Sequence, residues 1–361
     1  MKYSIDTVSK KSAYIQLYTQ LREDIIKEVY HYGDRLPSKR LLADETLTSV
    51  ITVEHAYALL IEEGYIEARE RSGYFVIFRT DDRFAAAPPA EPALLHSFSD
   101  GAAQGSSFPF PVLAKTMRRV ISDFGELILE RSPNSGCEEL RCAISGYLAR
   151  SRGIMADASQ IFIGSGAEYL YGLIVELLGR ERIYAIEAPS YEKIEQVYRA
   201  ADVRYESLPL TSDGIDSSSL AVSDADVLHI TPYRSFPSGI TASASKRHEY
   251  IRWAARGGRY IVEDDFESEF SVSRKAEETL FSLSGDENVI YINTFSKSIS
   301  PSMRVGYMVL PKPLVEEFEE KLGFYSCTVP TFEQFVIATL ISSGDFERNI
   351  NRVRRQKRKE L

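Results

Sequence analysis

A chain of 361 residues has room for one large domain and a small one. Its 44% hydrophobic content can fill a core, no apolar run is long enough to cross a bilayer, and Met1-Lys2-Tyr3-Ser4 opens no signal peptide. Three cysteines without metal-ligand spacing predict a reduced, cytoplasmic protein with no metal, and a net charge of −9 argues against wholesale coating of nucleic acid while allowing a local DNA-binding face.

Residues 1–79 read as helices ending in a hairpin. Leu17, Leu21, Ile25 and Ile26 recur at helical spacing. Gly33-Asp34-Arg35-Leu36-Pro37-Ser38 is a turn whose Ser38 can cap a second helix carrying Leu41, Leu42 and Ala43. A third runs from about Ser49 through Val53, Ala56, Tyr57, Leu59 and Leu60 to Glu63-Gly64. Tyr65-Ile66-Glu67-Ala68 and Tyr74-Phe75-Val76-Ile77 make two short strands around Arg71-Ser72-Gly73. Three helices and a hairpin predict a winged helix-turn-helix, whose last helix enters the major groove.

Residues 80–96, with Ala85-Ala86-Ala87-Pro88-Pro89-Ala90-Glu91-Pro92, read as a linker. From 97 to 361 apolar runs alternate with helical patterns. Expected strands lie at 161–163, 183–186, 203–205, 227–230, 259–262, 289–292 and 305–309, with helices such as Glu168–Leu178, Tyr191–Ala200 and Lys246–Arg256 between them. This alternation predicts an α/β domain with a mostly parallel sheet covered on both faces, and a ligand site at the carboxyl ends of its strands.

The chemistry gathers at those ends. Lys297 sits in Asn293-Thr294-Phe295-Ser296-Lys297-Ser298 after a strand, with Arg304 seven residues on. An amine between hydroxyls, followed by a guanidinium, suits an aldehyde cofactor that carries a phosphate. Gly164-Ser165-Gly166-Ala167-Glu168 lets backbone N–H groups approach a phosphate at a helix start, or serves tight strand-to-helix packing. Tyr191 can stack on a planar ring or fill the core. Glu263-Asp264-Asp265 can set a carboxylate against a pyridine nitrogen, and equally suits a solvated loop or magnesium.

Two resemblances follow from these residues. Ile15-Gln16-Leu17-Tyr18, Leu36-Pro37-Ser38-Lys39-Arg40-Leu41-Leu42-Ala43, Thr52-Val53-Glu54-His55-Ala56-Tyr57 and Glu63-Gly64-Tyr65-Ile66 resemble the GntR family. That implies that Arg40 touches DNA, that Ser49 and Thr52 read the groove, and that Arg71, Ser72 and Gly73 form the wing contact. Where the family usually has an arginine, this chain has Val50, which cannot donate to guanine or phosphate.

From about 97 onward, Ile230-Thr231-Pro232, Phe236-Pro237-Ser238-Gly239, Glu263-Asp264-Asp265-Phe266-Glu267-Ser268-Glu269-Phe270, Thr294-Phe295-Ser296-Lys297 and Pro301-Ser302-Met303-Arg304-Val305-Gly306-Tyr307 resemble fold-type I aminotransferases, specifically the aminotransferase-like half of MocR/GabR-type regulators. The resemblance implies pyridoxal 5'-phosphate, with Lys297 as its Schiff-base lysine and Asp264 on its pyridine nitrogen. Tyr191 would stack on the ring, and Ser165, Gly166, Ala167, Thr294, Ser296 and Arg304 would bind the phosphate. Phe266, Arg234-Ser235 and Arg131 depart from the family's tyrosine, His-Gln and tyrosine. The basic stretch from Arg348 matches the helix leading into the family's small C-terminal domain. The sequence stops before that domain, as a natural truncation or, since no helix cap precedes Leu361, more readily as a fragment.

The resemblance implies a homodimeric regulator that binds double-stranded operator DNA and senses its cofactor or an amino compound through Lys297. The alternatives are an aminotransferase with a regulatory DNA-binding module, and a DNA-binding protein whose large domain is a cofactor-free dimerisation scaffold.

Overall fold

The computed structural model describes residues 3–6, 9, 11–70, 72–79, 108–265, 268–271, 278–285 and 287–360. The expected linker, Arg71 and Phe266 lie outside the described residues. The chain divides into two compact units, Met1–Phe98 and Ser99–Leu361.

In the first unit, α1 (Ala13–Ile26), α2 (Lys39–Thr46) and α3 (Val50–Glu62) precede the hairpin β1 (Ile66–Arg69) and β2 (Gly73–Val76). Leu17, Leu21 and Ile25 of α1 meet Val53, Ala56, Tyr57 and Leu60 of α3 in one core, closed by Ile66 and Val76. The Ser38 hydroxyl accepts the Leu41 N–H at 3.2 Å and so starts α2. The Tyr57 hydroxyl donates to the Pro37 carbonyl at 2.8 Å, tying α3 to the turn before α2. The strands pair antiparallel, Ile66 opposite Val76 and Arg69 opposite Gly73.

The second unit begins with α4 (Phe110–Phe124) and α5 (Glu138–Arg152). Then come β3 (Ile161–Gly164), α6 (Ala167–Leu178), β4 (Ile183–Ala188), α7 (Glu192–Ala200), β5 (Arg204–Thr211), β6 (Gly214–Ile215), α8 (Ser217–Val222), β7 (Val227–Ile230), α9 (Ala244–Ala254) and β8 (Tyr260–Asp264). After α10 (Leu280–Ser284) the strands β9 (Val289–Thr294) and β10 (Gly306–Val309) complete the sheet, and α11 (Lys312–Leu322), α12 (Thr331–Ser342) and α13 (Asp345–Glu360) follow.

The eight strands run in the order β3-β10-β9-β8-β7-β4-β5-β6. From β9 to β5 neighbours are parallel, whereas β10 is antiparallel to both β3 and β9. Strand alternation feeds two apolar layers. Val289 and Tyr291 of β9 point into a layer with α5, α9 and α12, while Ile290 and Ile292 point into one with α6, α7 and α11. With both faces covered, the carboxyl ends of β4, β7, β8 and β9 and the start of α6 are where polar side chains converge.

Candidate functional site

At that edge one pocket is lined by Ala167, Glu168, Tyr171, Tyr191, Thr231, Phe236, Asp264, Thr294, Ser296 and Arg304. Of the nine expected cofactor contacts, six therefore come together: Ala167, Tyr191, Asp264, Thr294, Ser296 and Arg304. Ser165 is half-buried immediately before them. Gly166 caps α6 with φ +103°, and a Cβ there would come within 2.9 Å of the Arg304 guanidinium. Only glycine allows this approach of backbone to cation without strain. Lys297 is exposed in the turn after β9, adjacent to Ser296 and outside the pocket's lining.

The three acids closing β8 are all buried, which overturns the solvated-loop alternative. Each has separate partners. The Glu263 carboxylate accepts the N–H groups of Leu280 and Phe281 at 2.8 and 2.9 Å, and burial pushes its carboxyl up to about 8 against those two bonds. Asp265 pairs with the buried Arg152 guanidinium at 3.0 Å and accepts the Tyr291 hydroxyl at 2.6 Å. Asp264 alone of the three lines the pocket, where it accepts the Tyr171 hydroxyl. Among the described residues no group of His, Cys, Asp and Glu could hold a metal ion.

Behind Asp264 stands a chain of groups that the sequence reading missed. His229 of β7 places Nε2 3.9 Å from Asp264 Oδ2, and its Nδ1 shares a 2.6 Å hydrogen bond with the Tyr198 hydroxyl. His229 Nε2 is buried without a hydrogen-bond partner among the described residues. Burial lifts the Tyr171 and Tyr198 hydroxyls well above their ordinary value, so both remain protonated. A lone histidine in the apolar run Val227-Leu228-His229-Ile230 was the available signal. Glu187, at the end of β4, accepts the Ser235 hydroxyl at 2.5 Å and the Thr231 N–H at 3.3 Å. Burial raises its carboxyl to about 7. Tyr191 meets Phe236 edge-on at 6.2 Å, so the pocket has an aromatic wall.

The Arg304 guanidinium donates to Glu168 at 2.5 Å. Glu168 lies in the first turn of α6, where the helix dipole also favours negative charge. The Gly166 cradle, the helix start, two hydroxyls and an arginine form an anion cup, and the buried Asp264 lines the same pocket. This donor set fits a phosphorylated pyridine aldehyde.

The winged module has its own candidate surface. Arg40 is exposed on the first turn of α2. Ser49 and Thr52 open α3, but they bond to each other: their hydroxyls are 2.9 Å apart, and the Ser49 oxygen accepts the Thr52 N–H at 3.1 Å. Ser72 and Gly73 form the wing turn. Gly73 has φ +111°, and a Cβ there would meet Arg35 Nε at 2.9 Å, so Arg35 lies along the wing. Sequence reading missed Arg35. Arg131 donates to Asn134 at 3.0 Å and Ser326 at 2.7 Å.

The gntR family of bacterial regulatory proteins matches residues 13–76, and aminotransferase class I and II matches residues 98–361. The chain is 31% identical to the HTH-type transcriptional regulator YdeL of Bacillus subtilis, over 96% of this chain and 77% of that protein. It is 26% identical to the probable rhizopine catabolism regulatory protein MocR of Rhizobium meliloti, covering 94% and 74%. It is 25% identical to the pyridoxine biosynthesis transcriptional regulator PdxR of Corynebacterium glutamicum, covering 94% and 75%. Among solved structures it is similar to the kynurenine aminotransferase of Pyrococcus horikoshii, with a TM-score of 0.63 at 25% identity over 69% of this chain and 64% of that one. It is also similar to LysN, an α-aminoadipate aminotransferase of Thermus thermophilus complexed with N-(5'-phosphopyridoxyl)-L-leucine, with a TM-score of 0.61 at 25% identity over 69% and 64%. The chain thus spans less than two thirds of those two enzymes' length.

Proposed function

Because the chain belongs to the MocR/GabR-type transcriptional regulators, in which a gntR-family DNA-binding module precedes an aminotransferase class I and II domain, we propose that it couples operator binding to an amine sensed in the Asp264 pocket. Pyridoxal 5'-phosphate is the cofactor of this fold and supplies an aldehyde that condenses reversibly with primary amines. The convergence of Asp264, Thr294, Ser296, Arg304 and the α6 start in one pocket carries the reading.

Each side chain has a defined task. Gly166, Ala167 and Ser165 offer the start of α6 to the phosphate, and Thr294, Ser296 and Arg304 add hydroxyl and guanidinium donors. Asp264, steadied by the Tyr171 hydroxyl and backed by His229 and Tyr198, would hold the ring nitrogen. Tyr191, edge-on to Phe236, would cover the ring. Lys297, on a flexible four-carbon stem next to Ser296, is the amine this chain offers the aldehyde. An incoming amino compound competes with Lys297, and its effect on DNA requires that it favour one state of the protein over another.

In the first unit, Arg40 and the wing residues Arg71, Ser72 and Gly73 hold the DNA backbone while the start of α3, at Ser49 and Thr52, lies in the groove. One module reads one half-site, so the active species is a homodimer. The exposed Ile121, Leu127 and Leu129 of the second unit support burial against a partner. A reader of bacterial operators works in the cytoplasm, and no helix among the described residues is long and apolar enough to cross a membrane.

The test is a paired titration of the full chain with candidate amines, following cofactor absorbance and duplex mobility together. Lys297→Ala should abolish the absorbance of the lysine-bound cofactor and the response to amines while leaving duplex binding. Amines that change neither signal in the unaltered chain would refute sensing, and sustained turnover of amino and keto acids would replace this reading with the enzymatic one.

A further inference from the structure

The first turn of α3, the part of the helix that enters the groove, is apolar on its outer side. Val53, Ala56, Tyr57 and Leu60 turn into the core. Val50 and Ile51, 41% and 63% exposed, do not, and Leu47, the left-handed residue ending α2, is 79% exposed just before them. Three polar groups at this turn, on Ser49, Thr52 and Glu54, are already engaged. Ser49 and Thr52 bond to each other and cap the helix. Glu54, next on the outer face, takes the Lys39 ammonium at 2.7 Å.

A base edge in the major groove offers hydrogen-bonding groups and, on thymine alone, a methyl group. Branched aliphatic side chains cannot answer donors or acceptors, and burying them against polar edges would leave those edges unsatisfied. They can answer a methyl. We infer that Val50 and Ile51, with Leu47 beside them, read thymine methyl groups, so that this regulator selects operators by apolar contact. The gntR-family match over residues 13–76 is why DNA and not a protein is the occupant of this surface, and the exposed Arg40 beside it can meet a phosphate. The inference rests on the proposed DNA reading and deepens it.

The experiment leaves the protein unaltered. The full cofactor-loaded chain enriches a binding site from a pool of duplexes with a randomised centre, and that duplex is remade with deoxyuridine in place of thymidine, one position at a time, at constant salt. Each contacted methyl removed should weaken binding about fourfold, the equivalent of one buried methylene. The variant Val50→Ala/Ile51→Ala should bind thymine and uracil duplexes alike. Equal affinity of the parent chain for both duplexes overturns this inference alone. So does a double variant that alters self-association but keeps the thymine preference, since the turn is then a protein contact. Failure to enrich any duplex overturns the DNA reading, and this inference with it.

Discussion

Glu168 faces a competition. Its carboxylate holds Arg304 within the anion cup, where a phosphate would need the same guanidinium and the same helix start. A dianion entering there must displace it. Both side chains are partly exposed, so solvent screening limits the repulsion to on the order of 1 kcal/mol. Glu168→Gln should therefore bind the cofactor about fivefold more tightly in an absorbance titration. Weaker binding by that variant would mean that Glu168 instead supports Arg304. Glu187 carries a different liability. Its carboxyl titrates near 7 in the folded chain against 4.5 for an unperturbed glutamate, because burial disfavours the charge. The folded state holds the proton more tightly, so the stability tied to this group is full below about pH 4.5 and is lost as pH rises toward 7. Denaturation at about pH 5 and about pH 8 should show a fall that Glu187→Gln reduces by at most about 3 kcal/mol. That Ala167, Tyr191, Asp264, Thr294, Ser296 and Arg304 would meet in one pocket was legible because they sit beside strand ends in recognisable motifs. His229, Tyr171 and Glu168 were not. Their chemistry depends on which neighbours β7 and α6 bring within reach, and spacing along the chain does not reveal that.

The elements were easier to read than the contacts among them. All seven expected strands of the large unit appear, because strands covered on both faces are written as short apolar runs bounded by turns. β5 extends to Thr211, beyond the expected 203–205, since pairing with β4 and β6 holds residues whose own pattern is mixed. The short β6 was invisible for want of length. Direction was harder to see: the reversal of β10 between β3 and β9 has no local signature. In the winged module the caps were readable and their consequences were not. Ser38 starts α2 as expected, and Ser38→Ala should lower the stability of that module by about 1 kcal/mol in thermal denaturation. Ser49 and Thr52 have the right residue types for groove reading, and what spacing along the chain did not reveal is that their hydroxyls bond to each other at the helix start.

For the whole molecule, the two units must be linked by free energy for regulation to occur at all. If the cofactor changes duplex affinity by some factor, the duplex must change cofactor affinity by that same factor. Two independent titrations, one following mobility and one following absorbance, should return equal ratios. Unequal ratios would mean that a third equilibrium, such as self-association, intervenes. One detail of the sheet suggests where a signal begins. Gly306 pairs directly with Thr294, so residues 295–305 form a loop pinched shut at its base, with Lys297 and Arg304 on the same short closed segment. A ligand that pulls on either cation tugs a noose whose knot is two paired strands. Phe295, Ile299 and Met303 anchor this loop in the core and the strand pairing holds its base, so a pull is felt within the loop and not in β9 or β10. Hydrogen exchange on ligand addition should then change within 295–305 and leave the β9 and β10 amides as they were.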